Sequence, residues 1–209
     1  MTFARASTIA AATILALAPA CALLTKADPI VPRYFSPDAV TTKHVEPVAP
    51  TGLELRLGRV NAESYMKDRI VRRDSMYEVV YYDDCLWTEK PEAFVRRALS
   101  RAIFDERGVR EVRSGVATTL EVDVLAFEEI VKPEHVGRVE LAYVLYDDRV
   151  VLLSRSVAIE RPIAPAKGDA AAGALVGALA GAMSAAVDAI ALATTAELRT
   201  EASAQAGPP

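Results

Sequence analysis

The 209-residue sequence has few of the residue types on which most active sites depend. It contains two cysteines, Cys21 and Cys85, and two histidines, His44 and His135. Two cysteines are too few for a disulfide scaffold and lack the paired spacing of a structural zinc site, and neither histidine lies near a run of candidate ligands. A G-x-S-x-G motif, a Walker loop and a dinucleotide fingerprint are also absent from the sequence. We therefore predict no enzymatic activity, with no catalytic residues, metal site or cofactor-binding residues.

The chain also lacks an excess of positive charge. It carries 24 Lys and Arg against 28 Asp and Glu, which gives a formal net charge of -4. A protein that binds nucleic acid neutralises phosphates with clustered cations. The composition therefore argues against a nucleic-acid partner.

Local charge clusters offer little evidence for a site. Acidic doublets at strand ends usually occupy solvated turns, and we expect this for Asp83 and Asp84, for Glu128 and Glu129, and for Asp147 and Asp148. The basic run of Arg69, Arg72 and Arg73 could meet a lipid headgroup, but we interpret it as a solvated strand flank. We expect Trp87, the only tryptophan, to lie in the core.

The amino terminus has the pattern of a signal peptide. Arg5 provides a positive charge, and residues 8–17 form an uncharged run that is shorter than the roughly 20 residues needed to span a bilayer. We therefore predict a signal peptide over residues 1–20 and an exported protein.

Two modes of cleavage fit this signal peptide. Cys21 follows it directly, as in a lipoprotein, and the Pro-rich segment 28–50 would then tether a domain to the membrane. We favour this interpretation, in which Cys21 carries a covalent lipid. Alternatively, Ala18 to Ala20 form a general signal peptidase site, and Cys21 remains a thiol that pairs with Cys85 in a soluble periplasmic protein. Ala22, where an Asp would favour the inner membrane, points towards the outer membrane.

In the body of the chain, apolar residues recur with two different spacings, one typical of strands and one typical of helices. Leucines at every second position predict a strand near residues 53–57, and further strands follow at 76–82, 120–127, 139–146 and 150–159. Short connections between the last three indicate an antiparallel meander. Between these groups, apolar residues at helical spacing predict a helix from Pro91 towards Gly108. We predict a single α+β domain with a mainly antiparallel or mixed sheet and two main helices packed on it.

The second of these helices is the Ala-rich segment 169–199. Residues 170–187 lack charge and include Gly173, Gly177 and Gly181 at G-x-x-x-G spacing, which would suit a membrane-spanning helix. We prefer a different interpretation, in which a stripe of larger apolar residues packs on the sheet. This stripe consists of Leu175, Leu179, Met183, Val187 and Ile190.

The order of these parts resembles the ABC-type transport auxiliary lipoprotein family. Two stretches are similar to the family's I-V-x-R and W-x-E-P motifs, and the other features follow in the same order. The matching features are the cysteine after the signal peptide, Tyr34 with Phe35, the strand over 53–60, Ile70-Val71-Arg72-Arg73 within 65–73, Trp87-Thr88-Glu89-Lys90-Pro91 opening a helix, a strand ending in Phe127-Glu128, and the terminal Ala-rich helix.

The resemblance implies a periplasmic lipoprotein on the outer membrane that assists an ABC transporter with an MCE-type subunit in moving lipids or other hydrophobic molecules. It implies transporter subunits and the membrane as partners and supplies no catalytic residues. It does not decide whether the protein forms a homo-oligomer. The predicted organisation is a signal peptide at 1–20, a tether at 21–50 that can include a first strand, the auxiliary domain at 51–199 and a disordered tail at 200–209.

Overall fold

The structure is a computed structural model, and it describes residues 29–38, 48–148 and 150–205. All strands and helices named below belong to one compact unit that begins at Pro32. Along the chain they are β1 (Arg33–Phe35), β2 (Glu54–Ala62), β3 (Arg69–Arg73), β4 (Val79–Trp87), α1 (Pro91–Ser100), β5 (Arg110–Glu111), β6 (Thr119–Ile130), β7 (Val136–Tyr146), β8 (Val151–Pro162) and α2 (Asp169–Gln205). A π-helical turn, Arg101–Asp105, continues α1. The α+β fold predicted from the sequence is confirmed.

Within the described residues, eight strands form one mixed sheet around β6. Antiparallel β7 lies along one edge of β6, and antiparallel β8 lies beyond it, which confirms the predicted meander. On the other edge, β2 runs parallel to the first half of β6 and β3 runs parallel to its last residues. The sheet continues from β3 through β4 to β1, and from β2 to β5.

This topology gives the sheet two distinct ends. The hairpin end, as we call it, holds the β3–β4 turn at residues 74–78, the β6–β7 turn at 131–135 and the first residue of α2. The opposite end holds loop 112–118, the start of β2 and the carboxyl-terminal part of α2.

Helix α2 covers one face of the sheet by packing on β7 and β8. By length and composition, Asp169–Ala204 would be sufficient to cross a membrane. Its predicted stripe of Leu175, Leu179, Met183, Val187 and Ile190 is nevertheless entirely buried, as the packing interpretation requires. Trp87 is also in the core, as predicted, with its ring edge-on to Phe94 and Phe127.

The closest approach of α2 to the sheet is at Gly137 on β7. A Cβ atom built there would lie 3.1 Å from the backbone nitrogen of Leu179 and 3.2 Å from the Cβ of Ala178. The glycines Gly173 and Gly177, by contrast, are exposed and have open space where a Cβ would be. Gly173 and Gly177 of the G-x-x-x-G pattern are therefore on the outer side of α2, away from the sheet.

Three predicted boundaries were wrong. Strand β4 starts at Val79 and continues through Asp83 and Asp84 to Trp87, because its ladders with β3 and β1 extend that far. Helix α2 does not stop at Arg199 but continues to Gln205, so the first part of the predicted tail is helical. Glu128 and Glu129 belong to β6 and not to a turn.

Candidate functional site at the hairpin end of the sheet

The predicted lipidation site, Cys21, lies outside the described residues, and the nearest strand after it is β1. This strand runs parallel to β4, with Arg33 opposite Cys85 and Phe35 opposite Trp87. Because β4 starts next to the β3–β4 turn, the direction of β1 means that the chain enters the sheet from the hairpin end. Within the predicted tether of residues 21–50, the residues directly before Arg33 therefore lie on the side of β1 that is directed to the hairpin end.

Arg33 links β1 to two other elements. Its guanidinium donates hydrogen bonds from Nε (3.0 Å) and Nη2 (2.7 Å) to Asp84 Oδ2 on β4. Nη1 donates to Asp169 Oδ1, 2.7 Å away on the first residue of α2. The hydrogen bonds from Arg33, followed by one from Cys85, lower the pKa of Asp84 below its usual value. Asp84, which the sequence placed in a turn, thus lies in β4 and accepts hydrogen bonds from Arg33, the first residue of β1.

Cys85 is a free, buried thiol beneath this ion pair. Its Sγ atom lies 3.4 Å from Arg33 Nη2 and 3.4 Å from Asp84 Oδ1. Burial, and then the hydrogen bond and negative charge of Asp84, raise the pKa of the thiol. Because the thiolate is the nucleophilic form, this environment makes Cys85 less reactive.

Glu128 is the first of two buried carboxylates that the sequence suggested would be solvated. Its side chain is 3% exposed and accepts two hydrogen bonds from Arg73 on β3, Nε to Oε1 at 2.9 Å and Nη2 to Oε2 at 3.0 Å. The hydroxyl of Tyr65 donates to the carbonyl of Leu125 at 3.0 Å and reaches Glu128 Oε2 at 3.5 Å. Burial, together with the charge of Glu128, raises the pKa of Tyr65 to about 12.

Glu129 has its own partners on the other face of the sheet, because successive residues of a strand point in opposite directions. Its side chain is 6% exposed. Oε2 accepts a hydrogen bond from the hydroxyl of Tyr82 at 2.6 Å, and Oε1 pairs with His135 Nε2 at 2.5 Å. Burial, and then the hydrogen bond to Glu129, raise the pKa of Tyr82.

The groups around Arg33 and Glu129, but not those around Glu128, line a pocket of about 200 Å³ between the sheet and the start of α2. Polar groups of Tyr82, Glu129 and His135 meet apolar side chains such as Ile163 and Leu175 in its lining. The hydrogen bonds of Cys85 go to Arg33 and Asp84, and that of His135 goes to Glu129, so the thiol has no histidine base among its partners in the described residues. Nor do His, Cys, Asp and Glu side chains gather in threes or more as metal ligands within that part of the chain.

Sequence reasoning missed this cluster because it read each acidic doublet separately. One signal was available: Glu128 and Glu129 interrupt an alternating pattern with apolar residues on both sides, Phe127 before them and Ile130 after them. A carboxylate pair in such a run predicts buried partners, since a buried charge is stable only when it is paired and hydrogen-bonded.

The comparisons with known proteins identify the family. Residues 36–191 match the model of the ABC-type transport auxiliary lipoprotein component. The chain belongs to this family. The matched region starts directly after β1 and ends within α2, so it contains nearly the whole sheet.

Two solved structures share the fold of this auxiliary lipoprotein. Protein XCC0632 from Xanthomonas campestris superposes with a TM-score of 0.68 at 19% identity, and the match covers 82% of this chain and 99% of that one. A second structure, of an uncharacterized protein, gives a TM-score of 0.60 at 15% identity and covers 78% and 99% of the two chains. No curated protein matches the sequence. The family description makes this chain an auxiliary component of ABC-type transport, associated with the cell envelope.

Proposed function

We propose that this chain is an outer-membrane lipoprotein that faces the periplasm, carries its lipid on Cys21 and acts as a non-catalytic accessory of an ABC transporter with an MCE-type subunit. The cargo would be lipids or other hydrophobic compounds. The observation that supports the proposal is the direction of β1, which runs away from the hairpin end in a member of a transport lipoprotein family, so that a tether from Cys21 would approach the sheet from that side.

Arg33 explains how such a tether would hold the domain. A lipid on Cys21 would restrain the folded part only through the chain that leads into β1. Arg33 connects β1 to both β4 and α2. The hairpin end would then face the membrane, and the opposite end would extend into the periplasm. The opposite end exposes 81% of Val116 and 62% of Val151, which suits contact with a transporter subunit.

Intact-mass measurement on protein isolated from membranes tests the anchor. We expect the mature protein to start at Cys21 with a triacyl modification, and a Cys21→Ser variant to lose both the modification and the membrane association. Cys85→Ser is the matched control and should keep both, because Cys85 is a buried thiol within the sheet. An unmodified wild-type mass would contradict the lipoprotein proposal.

Transporter association needs a second measurement. Lipidated protein should co-purify with an MCE-type subunit encoded near it, and separated membranes should contain it in the outer-membrane fraction. A deletion strain with unchanged transport of hydrophobic compounds would argue against the accessory role.

The pocket beside Glu129 and His135 favours one alternative, a soluble periplasmic module that binds a small ligand. Its volume of about 200 Å³ would admit only a small molecule. This alternative predicts unlipidated protein in the osmotic-shock fraction, so the same mass measurement separates the two functions.

A further inference from the structure

The β3–β4 turn exposes two consecutive apolar side chains at the hairpin end. Met76 is 77% exposed and Tyr77 is 91% exposed, and both lie in the turn at residues 74–78. Their neighbours Ser75 and Glu78 are exposed as well, so the turn projects from the sheet. The fold forms without burying these two side chains. Their apolar surface remains in contact with water, which is unfavourable, and so it is available for another contact.

The chain that precedes β1 approaches the sheet from the side of the same end. Arg33 lies opposite Cys85, which is six positions after Val79 on β4, a distance of at most about 20 Å along an extended strand. Arg33 follows Cys21 by twelve positions, and that length of chain reaches at most about 40 Å. A membrane that holds a lipid on Cys21 is therefore within reach of the β3–β4 turn.

The chemistry of the turn suits the boundary between lipid headgroups and acyl chains. Tyrosine is amphipathic and enriched at this boundary, and methionine is flexible and apolar. Charges near the turn are mixed: Lys132 and Lys167 are exposed at the same end, but so are Glu78 and Glu134. Insertion would therefore depend on apolar contact more than on attraction to anionic lipid.

We infer that Met76 and Tyr77 insert into the headgroup layer of the membrane that carries the Cys21 lipid. The inference rests on the proposed anchor and adds a second, non-covalent contact to it. Two contacts would orient the domain on the membrane, with the hairpin end against the lipid headgroups and the opposite end directed to the transporter. A single flexible tether would leave the orientation free.

Fluorescence quenching by lipids with brominated acyl chains tests this contact in the full mature protein. The lipidated protein is reconstituted in vesicles of phosphatidylethanolamine and phosphatidylglycerol. The variant is Tyr77→Trp, and the matched control is Val116→Trp, which places an exposed tryptophan at the opposite end. Native Trp87 is 2% exposed and supplies the baseline for both.

We expect brominated lipid to quench the new tryptophan of Tyr77→Trp at low and at high salt, and to leave Val116→Trp at the wild-type level. Equal quenching of the two variants would overturn the inference, because the turn would then contact lipid no more than the opposite end does. Intact mass is measured on the same sample. Lipidated protein with an unquenched Tyr77→Trp overturns this inference alone, whereas protein without lipid overturns the anchor and this inference with it.

Discussion

At the scale of single residues, Glu128 and Glu129 show how one strand places adjacent carboxylates in separate environments. Glu128 meets Arg73 and Tyr65 on one face of the sheet, and Glu129 meets Tyr82 and His135 on the other. They therefore do not act as one paired-carboxylate site. Each is instead a buried charge whose stability depends on its own partners.

Replacing Arg73 with Met would leave Glu128 buried without its cation. We expect Arg73→Met to lower the free energy of unfolding by about 2–3 kcal/mol, below the range for a fully buried pair because a quarter of the Arg73 side chain is exposed. The control is Arg72→Met, whose partner Asp74 is 34% exposed, and here we expect less than about 1 kcal/mol. Urea unfolding in a Cys21→Ser background measures both free energies. Equal effects would contradict the conclusion that the buried Glu128 depends on Arg73.

Tyr65 should make the protein sensitive to alkali. Its folded-state pKa of about 12 is raised above the ordinary value of 10.0, so its contribution to stability is complete below pH 10 and is lost as the pH rises through about 12. A titration of tyrosinate absorbance should show a smaller late-ionising amplitude in Tyr65→Phe than in the wild type, where the raised pKa of Tyr82 also contributes to the late phase. Glu128→Gln should lower the pKa of Tyr65, because it removes a negative charge beside the phenol. Ionisation of Tyr65 at its ordinary pKa would contradict this account.

At the scale of elements, α2 combines a buried apolar stripe with an exposed row of glycines. Helix interiors disfavour glycine, so its presence at three exposed positions makes α2 less stable than an alanine-only sequence would be. The helix remains stable because the stripe of Leu175, Leu179, Met183, Val187 and Ile190 packs on the sheet.

Two glycine-to-alanine substitutions should have opposite effects on stability. Gly137→Ala should destabilise the protein by about 1–3 kcal/mol, because the new methyl group would lie within 3.2 Å of α2 atoms that belong to a buried helix. Gly177→Ala adds the same methyl group in open space, and we expect stabilisation of about 0.5–1 kcal/mol. Thermal or urea unfolding measures both. Destabilisation by Gly177→Ala would mean that the outer side of α2 is covered.

At the scale of the whole molecule, the direction of β1 distinguishes the two ends of the sheet. The chain enters at the hairpin end, and α2 begins there and finishes at the opposite end. Arg33 connects these parts through Asp84 and Asp169. Force on the tether would therefore reach the domain through β4 and α2 together.

Arg33→Ala should release β1 without unfolding the domain. The Arg33 and Asp84 side chains are more than a third exposed, so the effect on the urea midpoint should be small. Hydrogen exchange of residues 33–35 and proteolysis near them should both become faster. Arg59→Ala, which breaks an exposed pair with Glu121 on another part of the sheet, is the control and should leave β1 protected. Unchanged exchange in Arg33→Ala would contradict the role of the ion pair.

The sequence alone determined the α+β class, the meander, the buried stripe of α2, the core position of Trp87 and the family. The class, the meander, the stripe and the position of Trp87 depend on residues near each other in the chain, whose spacing of two or of three to four reports which side is buried. The family came instead from the resemblance of its motifs and their order along the chain. Only the tertiary structure decided the partners of Glu128 and Glu129, the strand conformation of Asp84 and the direction from which the chain enters β1. Their partners are distant in the chain: Arg73 is 55 positions from Glu128, Tyr82 is 47 from Glu129, and Arg33 is 51 from Asp84. Local spacing carries no information about such pairs, because the order of strands in the sheet brings them together.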